Sequence, residues 1–147
     1  MSIFKFNNEL NQQHKQLVWD YWHQAAWQNP ADIQKHLLRY QNQDANWFGF
    51  APLNQLSSPK SQIDEFWLPL YKAFSYLQRQ THIFIGGSSS GKADGSLDNC
   101  YWVGGTGLFK GFFQQDWQIS RLRIPANQQP IQIRWAEFCR FEEARIN

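Results

Sequence analysis

The sequence is poor in the residues that build metal centres and redox sites. Its 147 residues contain two cysteines and four histidines, and none of these lies at metal-ligand spacing with another. Cys100 and Cys139 are far apart in the chain and form no redox motif, so we expect reduced, apolar thiols in a cytoplasmic protein. A disulfide between neighbouring strands is the open alternative. The sequence indicates no metal site.

Charge and long hydrophobic runs are scarce as well. Charged residues make up 18% of the chain and the net charge is +2, which gives no case for binding nucleic acid or an anionic membrane. No apolar run approaches the roughly 20 residues that span a bilayer. The opening residues, MSIFKFNNELNQQ, turn polar too early for a signal peptide. We therefore expect neither nucleic acid nor membrane as a partner.

Aromatic side chains, in contrast, are abundant. They make up 17% of the chain and include eight tryptophans. Trp and Tyr combine a large apolar surface with one polar group, so they line ligand cavities as readily as they fill cores. A chain of this length can bury one sizeable core, and we interpret residues 1–147 as a single domain.

Helical periodicity dominates the first half of the chain. It predicts a helix capped by Asn8, a second that begins at Pro30 and a third that begins at Pro59. Pro69 lies inside the third helix and predicts a kink, or interrupted hydrogen bonding one turn earlier. Residues 47–52 are aromatic and predict a short edge strand that ends at a proline.

Strand patterns dominate the second half. Residues 81–86 predict one strand, and residues 100–113 predict a long strand whose four glycines indicate bulges or a strongly bent sheet. Residues 129–141 alternate between apolar and polar side chains, as in a half-buried strand. Helices first and strands afterwards indicate an α+β domain with an antiparallel sheet, and a bent sheet closed by helices encloses a cavity at its open end.

Two stretches resemble a nucleotide-binding motif and a catalytic motif, but each lacks a residue that the motif requires. Residues 86–92 resemble a phosphate-binding loop, but Ala93 stands where Ser or Thr would hold magnesium. Residues 87–91 spell the elbow of a serine hydrolase, but no histidine follows Ser89. We interpret residues 87–99 as a solvated, flexible loop.

Glu137 is the strongest chemical signal. It falls on the same face of the last strand as the apolar residues Ile131, Ile133, Trp135, Cys139 and Phe141. A buried carboxylate without a partner tends to bind a proton, which would fit it for acid–base chemistry through an enolate without a cofactor. The alternative, of equal weight, is a structural glutamate that hydrogen-bonds to a buried Arg, Tyr or Trp.

Other candidate residues surround Glu137 in this interpretation. We expect the cavity to be lined by some of eight apolar residues: Trp47, Phe50, Trp67, Tyr71, Phe84, Trp102, Ile133 and Trp135. His82 or Thr106 would orient a substrate oxygen. We expect His14 and His36, on helices, to lie at the surface or its boundary.

The last strand also carries a family resemblance. Residues 134–141, RWAEFCRF, followed by Arg145-Ile146, resemble the C-terminal signature of the SnoaL-like polyketide cyclases. This family is part of the nuclear-transport-factor-2-like (cystatin-like) superfamily. Pro52–Leu56, Trp102-Val103 and Asp116-Trp117 resemble earlier landmarks of the family. The likeness keeps the family's order over the larger part of the chain.

The resemblance implies a cone-shaped domain whose N-terminal helices pack on a curved, mainly antiparallel sheet around a deep apolar pocket. It also implies a homodimer packed sheet to sheet. Glu137 takes the position of the general acid/base for an intramolecular aldol closure, with Glu in place of the Asp of characterised cyclases. The family continues into a final strand, whereas this sequence stops at Asn147, so we expect an exposed edge on the Glu137 strand or a partner that covers it.

Two functions follow as hypotheses. The first is a cofactor-independent, polyketide-cyclase-like enzyme with isomerase- or lyase-type acid–base chemistry on an apolar or aromatic small molecule. The second is a non-catalytic small-molecule-binding or dimerisation domain of the same fold, which an ion pair of Glu137 with Arg134 or Arg140 would favour. A carbohydrate-stacking module is an unrelated alternative that would require tryptophans on an open, flat surface.

Overall fold

The first two α-helices each begin after an asparagine whose side chain caps the helix N-terminus. A computed structural model describes residues 7–89, 100–142 and 144–147. Helix α1 spans Asn8–His23, and its N-cap is Asn7, one residue before the predicted Asn8. A 3₁₀ helix, Ala25–Gln28, leads into α2, Pro30–Tyr40. The Asn29 side chain accepts a hydrogen bond from the N–H of Ala31, so the predicted cap before Pro30 is confirmed.

The third helix is interrupted as Pro69 predicts. It begins with α3, Pro59–Gln62, behind a capping box between Ser58 and Ser61. The five residues Ile63–Trp67 are π-helical, and regular helix resumes as α4, Leu68–Ala73. Because Pro69 has no N–H to donate, the hydrogen-bond pattern loosens over the preceding turn.

Four strands form the main sheet, in the order β3-β4-β7-β8 with every pair antiparallel. Their bounds are Phe74–Ser89 for β3, Cys100–Phe113 for β4, Pro130–Glu142 for β7 and Arg145–Ile146 for β8. Two small hairpins flank this sheet: β1, Trp47–Phe48, with β2, Gln55–Leu56, and β5, Trp117–Ile119, with β6, Leu122–Ile124. The predicted α+β class is confirmed.

Strand β3 differs from its prediction. It begins at Phe74 and extends beyond the predicted residues 81–86 in both directions. The register against β4 shifts between Ser75 and Gln78 and again between Thr81 and Ile83. These bulges break the two-residue alternation, so the pattern of β3 is hidden in the sequence. The glycines of β4 had predicted bulges in that strand, but the bulges of the β3–β4 pair lie in β3.

The hydrophobic core lies between the helices and one face of the sheet, which we call the inner face. It includes the buried residues Val18, Tyr21, Trp22, Ile33, Leu37, Trp67, Leu70, Leu77, Val103, Phe109, Trp135, Cys139 and Phe141. Burying one large apolar side chain contributes about 1.5 to 3 kcal/mol, so this cluster fixes the helical layer on the sheet. A smaller cluster of Leu53, Leu56 and Ile119 packs beside it, under Trp47 and Trp117.

Two histidines that we expected at the surface are buried. His14 is 4% exposed and stacks on Phe141, with ring centroids 4.0 Å apart. His36 is also 4% exposed, and its Nε2 lies 2.8 Å from the backbone oxygen of Tyr21. Burial lowers the pKa of His36. Both histidines lie on the faces of their helices that pack against the core. Their polar rings had suggested a position at the surface.

Cys100 and Cys139 are not joined by a disulfide. Cys139 pairs in register with Val103 of β4, and Cys100 lies three residues further along that strand. An odd separation along a strand places the two thiols on opposite faces of the sheet, which removes the disulfide alternative.

Within the described ranges, no helix has both the length and the apolar composition needed to cross a bilayer.

Gly107 provides a test of the β3–β4 packing. A methyl group at Gly107 would overlap the backbone carbonyl of Gln80, whereas one at Gly87 would meet nothing within 4 Å. We expect Gly107→Ala to lower the free energy of unfolding by about 1 to 3 kcal/mol. Gly87→Ala should change it by about 0.5 kcal/mol or less. Urea unfolding of both variants measures the difference; equal midpoints would contradict this packing.

Candidate functional site

A cavity of about 1030 Å³ lies against the inner face of β7, under the π-helical segment and the β1 hairpin. Its size is at the upper end of the roughly 300 to 1,000 Å³ found for small-molecule pockets. Ten of the 25 residues that line it are aromatic: Trp47, Phe48, Phe50, Phe66, Trp67, Trp102, Phe109, Trp117, Trp135 and Phe138. The composition therefore favours an apolar or aromatic ligand.

Glu137 lies in the wall of this cavity. Its neighbours on the inner face of β7, Ile133, Trp135 and Cys139, line the cavity with it. This is the face on which the alternation of the sequence predicted Glu137. The side chain of Glu137 is 20% exposed, so a cavity ligand can reach its carboxylate.

Arg79 of β3 is the partner of Glu137. Its Nη1 donates a hydrogen bond of 3.0 Å to Oε2 of Glu137, and the Arg79 side chain is 5% exposed. Strand β4 separates the two residues, and its Gly105 and Gly107 stand in register with Glu137 and Thr81 respectively. Because these positions carry no side chain, the long arginine side chain can cross β4 to reach β7.

Four aromatic rings surround the guanidinium group of Arg79. Its Cζ atom lies 4.7 to 5.7 Å from the ring centroids of Trp22, Trp67, Phe109 and Trp135. Cation–π attraction stabilises a guanidinium in this position. Arg79 also lines the cavity, although its side chain is less exposed than that of Glu137, 5% against 20%.

The ion pair decides between the two interpretations of Glu137 only in part. Its partner is a buried arginine, as the structural alternative required, but it is neither Arg134 nor Arg140. Both of these alternate to the outer face of β7, as Phe138 does, and Arg140 donates from Nε to the Sγ of Cys100. Arg79 holds Oε2 of Glu137, and the thiol of Cys139 lies 3.8 Å from the other oxygen, Oε1.

The thiol and hydroxyl groups near Glu137 remain protonated. Burial, and then the charge of Glu137, raises the pKa of Cys139 well above its ordinary value, so this thiol is not a nucleophile. Burial raises the pKa of Tyr71 to about 12, and burial likewise raises the pKa of Tyr21. These groups are neutral at physiological pH.

A second polar group in the cavity wall is a pair of buried amides. Gln41 Nε2 donates to Gln62 Oε1 at 3.1 Å, and Gln62 Nε2 donates back to Gln41 Oε1 at 2.9 Å. Gln41 Nε2 also donates to the hydroxyl oxygen of Tyr21 at 2.9 Å. The pair carries no net charge, and it ties α3 to the end of α2.

The cavity does not include every residue that the sequence analysis placed there. Six of the predicted residues line it: Trp47, Phe50, Trp67, Trp102, Ile133 and Trp135. Four others lie elsewhere. Phe84 packs on Trp22, and Tyr71 stacks on Trp27.

His82 and Thr106 also lie outside the cavity. His82 is exposed at the second bulge of β3, where the register shift turns its side chain away from the core. Thr106 donates its hydroxyl hydrogen to the backbone oxygen of Trp135 at 2.6 Å, so it is a structural link between β4 and β7. Neither residue is part of the cavity wall.

Sequence reasoning missed Arg79, Gln41 and Gln62. Arg79 fell in a stretch without a strand prediction, although Leu77, Arg79 and Thr81 alternate as a strand requires. The two glutamines lie more than 20 residues apart, and nothing local marks an amide pair of this kind.

The edge of β7 shapes the opening of the cavity. Strand β8 pairs with β7 only at Phe141 and Glu142, and the earlier part of β7 has no second neighbouring strand among residues 7–89, 100–142 and 144–147. The cavity continues around this edge to the outer-face side chains Arg134 and Phe138. The sequence predicted such an exposed edge.

Three further expectations concern other kinds of site. In the part of the chain that the structure describes, no three His, Cys, Asp or Glu side chains converge to hold a metal ion. Residues 90–99, which include the last residues of both rejected motifs, lie outside the described residues. The most exposed tryptophan, Trp19, is 41% exposed, and the others lie in the core or cavity wall, which disfavours carbohydrate stacking on a flat surface.

Comparison with solved structures identifies the architecture. A protein from Jannaschia sp. CCS1 described as a SnoaL-like polyketide cyclase superimposes with a TM-score of 0.67 over 97% of this chain and 85% of its own, at 9% sequence identity. A nuclear-transport-factor-2-like protein from Burkholderia thailandensis E264 gives a TM-score of 0.58 over 90% of this chain and 84% of its own, at 15% identity. No family model and no curated protein matches the sequence.

The protein therefore has the nuclear-transport-factor-2-like fold, in the form found in SnoaL-like proteins. The architecture that the sequence resemblance implied is confirmed. Identities this low concern the fold alone, and the function has to be argued from the cavity.

Proposed function

We propose that this protein is a cofactor-independent enzyme that performs acid–base chemistry on an apolar or aromatic ketone, of the type that polyketide cyclases use. The observation that carries the proposal is the position of Glu137. Arg79 holds one of its oxygens at 3.0 Å, and the Glu137 side chain lines a large cavity rich in aromatic residues. A fixed base beside a desolvated binding site is the arrangement that proton abstraction requires.

The proposed reaction is an intramolecular aldol closure. Glu137 Oε1 removes a proton from a carbon next to a carbonyl group of the ligand, and the electron pair of that C–H bond forms an enolate. The enolate carbon attacks a second carbonyl carbon of the same molecule, so a C–C bond forms and the carbonyl π bond becomes an alkoxide. The proton then passes from Glu137 to the alkoxide, which restores the carboxylate.

Arg79 would assist this reaction through its charge. While Glu137 holds the proton, the guanidinium group faces a neutral acid, so its positive charge is available to the negative enolate. Because the aromatic rings fix the guanidinium in place, it needs no reorganisation as the charge develops.

The second candidate function is a non-catalytic binder of the same class of ligand. The ion pair itself favours this candidate, since a carboxylate already satisfied by a buried arginine has a structural role without any reaction. The two candidates differ in whether a bound ketone loses a proton.

Exchange of a carbon-bound proton in D₂O separates the two candidates. We expect the protein to accelerate α-deuteration of 2-tetralone, an aromatic ketone, and Glu137→Gln to reduce that rate by about 10² to 10⁴. Binding of the ketone should change little. Proton NMR follows the exchange, and Glu142→Gln, an exposed position on the same strand, serves as the control and should retain the wild-type rate. Binding without accelerated exchange in the wild type would favour the binder.

We also propose that the protein forms a homodimer through the outer face of its sheet. Three large apolar side chains are exposed there: Ile83 at 56%, Ile85 at 55% and Phe138 at 63%. Ile85, Gly104 and Phe138 stand in register across three strands, so the apolar surface is continuous. Exposed apolar patches of this kind are typical of interfaces, and two sheets can pack face to face through them.

Phe138→Asp tests this interface. A charge at the centre of the apolar face should convert the dimer into a monomer, because the carboxylate would lose its water on association. Analytical ultracentrifugation measures the mass. Leu122→Asp is the matched control, since Leu122 is 54% exposed but lies on β6, outside the main sheet. A wild-type protein that sediments as a monomer would contradict the proposal.

A further inference from the structure

We infer that the ligand of the cavity carries an anionic group, a carboxylate, that pairs with Arg134 at the open edge of β7. This inference rests on the proposed function, because it assumes that the cavity holds a small molecule. It adds the charge of that molecule, which neither the fold nor the structural comparisons specify.

Positive charge predominates among the side chains that line the cavity. Three arginines, Arg79, Arg134 and Arg140, are part of its wall, and Glu137 has the one carboxylate side chain among the described residues that line it. Arg79 and Glu137 bond to each other at 3.0 Å, so their charges largely cancel for a group some distance away. The uncompensated positive charge is therefore that of the two arginines on the outer side of β7.

Arg134 is the arginine that a ligand can use. It is exposed, and it forms no ion pair with another described residue. The residue opposite it in β4 is the apolar Leu108. Arg140 is held more firmly, because its Nε donates to the Sγ of Cys100 at 3.3 Å. A ligand carboxylate at Arg134 would thus supply a counter-charge that the described residues do not.

The cavity reaches both sides of β7 at this edge. Every residue from 133 to 140 lines it, although successive side chains of a strand point to opposite faces. One ligand can therefore contact Glu137 on the inner side and Arg134 on the outer side. The two residues are about 10 Å apart along the strand, a distance that two fused rings with a carboxylate substituent can span.

A carboxylate suits this position for two reasons. The planar guanidinium group can donate two parallel hydrogen bonds to a carboxylate, which also fixes the orientation of the ligand. A cleft with apolar walls focuses the field of its charged groups, and the aromatic residues of the cavity provide such walls. Arg134 would repel a cationic ligand and would contribute little to a neutral one.

Three naphthalenes that share one frame test the inference. The probes are 2-naphthoate, 2-naphthamide and 2-naphthylmethylammonium, which are anionic, neutral and cationic at pH 7. Calorimetric titration should show that 2-naphthoate binds about five- to tenfold more tightly than 2-naphthamide, as expected of a bidentate ion pair at a partly exposed site. The ammonium probe should bind most weakly. Equal or tighter binding of either other probe would overturn the inference.

Two arginine variants locate the preference. Arg134→Gln should bring the affinity for 2-naphthoate to within about twofold of that for 2-naphthamide, and it should leave the binding of 2-naphthamide unchanged. Arg121→Gln is the matched control, because it removes the same charge at an exposed position between β5 and β6. It should keep the wild-type ratio. A ratio that survives Arg134→Gln, or that is lost in Arg121→Gln, would overturn the inference.

The titration also separates this inference from the proposed function. Failure of all three probes to bind would overturn both, since the small-molecule site itself would be wrong. Binding of the probes without a preference for 2-naphthoate would overturn only the inferred charge of the ligand and would leave the proposed function standing.

Discussion

The ion pair between Arg79 and Glu137 is the constraint on which the rest of the cavity depends. Two charges withdrawn from water are expensive unless each finds a partner with good geometry. Here the partners come from β3 and β7, and the strand between them offers Gly105 and Gly107 at the crossing. A Cβ atom at Gly105 would lie only 3.0 Å from the ring of Trp22. The absence of a side chain at Gly105 therefore leaves room for Trp22, one of the rings that surround the guanidinium group.

This arrangement changes the chemistry that the sequence alone indicated. An isolated buried carboxylate would bind a proton and act first as an acid. Here a guanidinium instead holds one oxygen of the carboxylate in place. In the proposed reaction, the same arginine would also stabilise the enolate that forms when the carboxylate takes up the proton. The same arrangement of Arg79 and Glu137 is therefore compatible with catalysis and with simple ligand binding. A measurement of proton exchange distinguishes these two functions, whereas the shape of the cavity does not.

Much of the fold follows from local signals. The Asn29-Pro30 and Ser58-Pro59 pairs start helices where the sequence predicts, and β4 spans residues 100–113 as its composition indicates. Each of these signals acts within a few residues. The face of Glu137 was also predictable, because β7 pairs with β4 without a register shift and its two-residue alternation stays intact.

The parts that could not be predicted depend on distant residues or on broken periodicity. Arg79 is 58 residues from Glu137 in the sequence, so no local sequence pattern predicts that the two residues form an ion pair. His82 was expected in the cavity, but the bulge beside it reverses its direction. His14 and His36 were expected near the surface, yet they stack on aromatic rings in the core. The tertiary fold brings these rings together, so local sequence does not reveal the contacts.

The coupling between Arg79 and Glu137 tests the central claim most directly. A double-mutant cycle of Arg79→Met and Glu137→Gln, measured by urea unfolding, should give an interaction energy of at least about 1 kcal/mol, because each single change leaves an uncompensated charge in the core. The exposed pair Lys60–Asp64, taken through the same cycle, should give about 0.5 kcal/mol or less. If the effects of Arg79→Met and Glu137→Gln are additive, the buried ion pair does not organise this cavity, and the account of its chemistry is wrong.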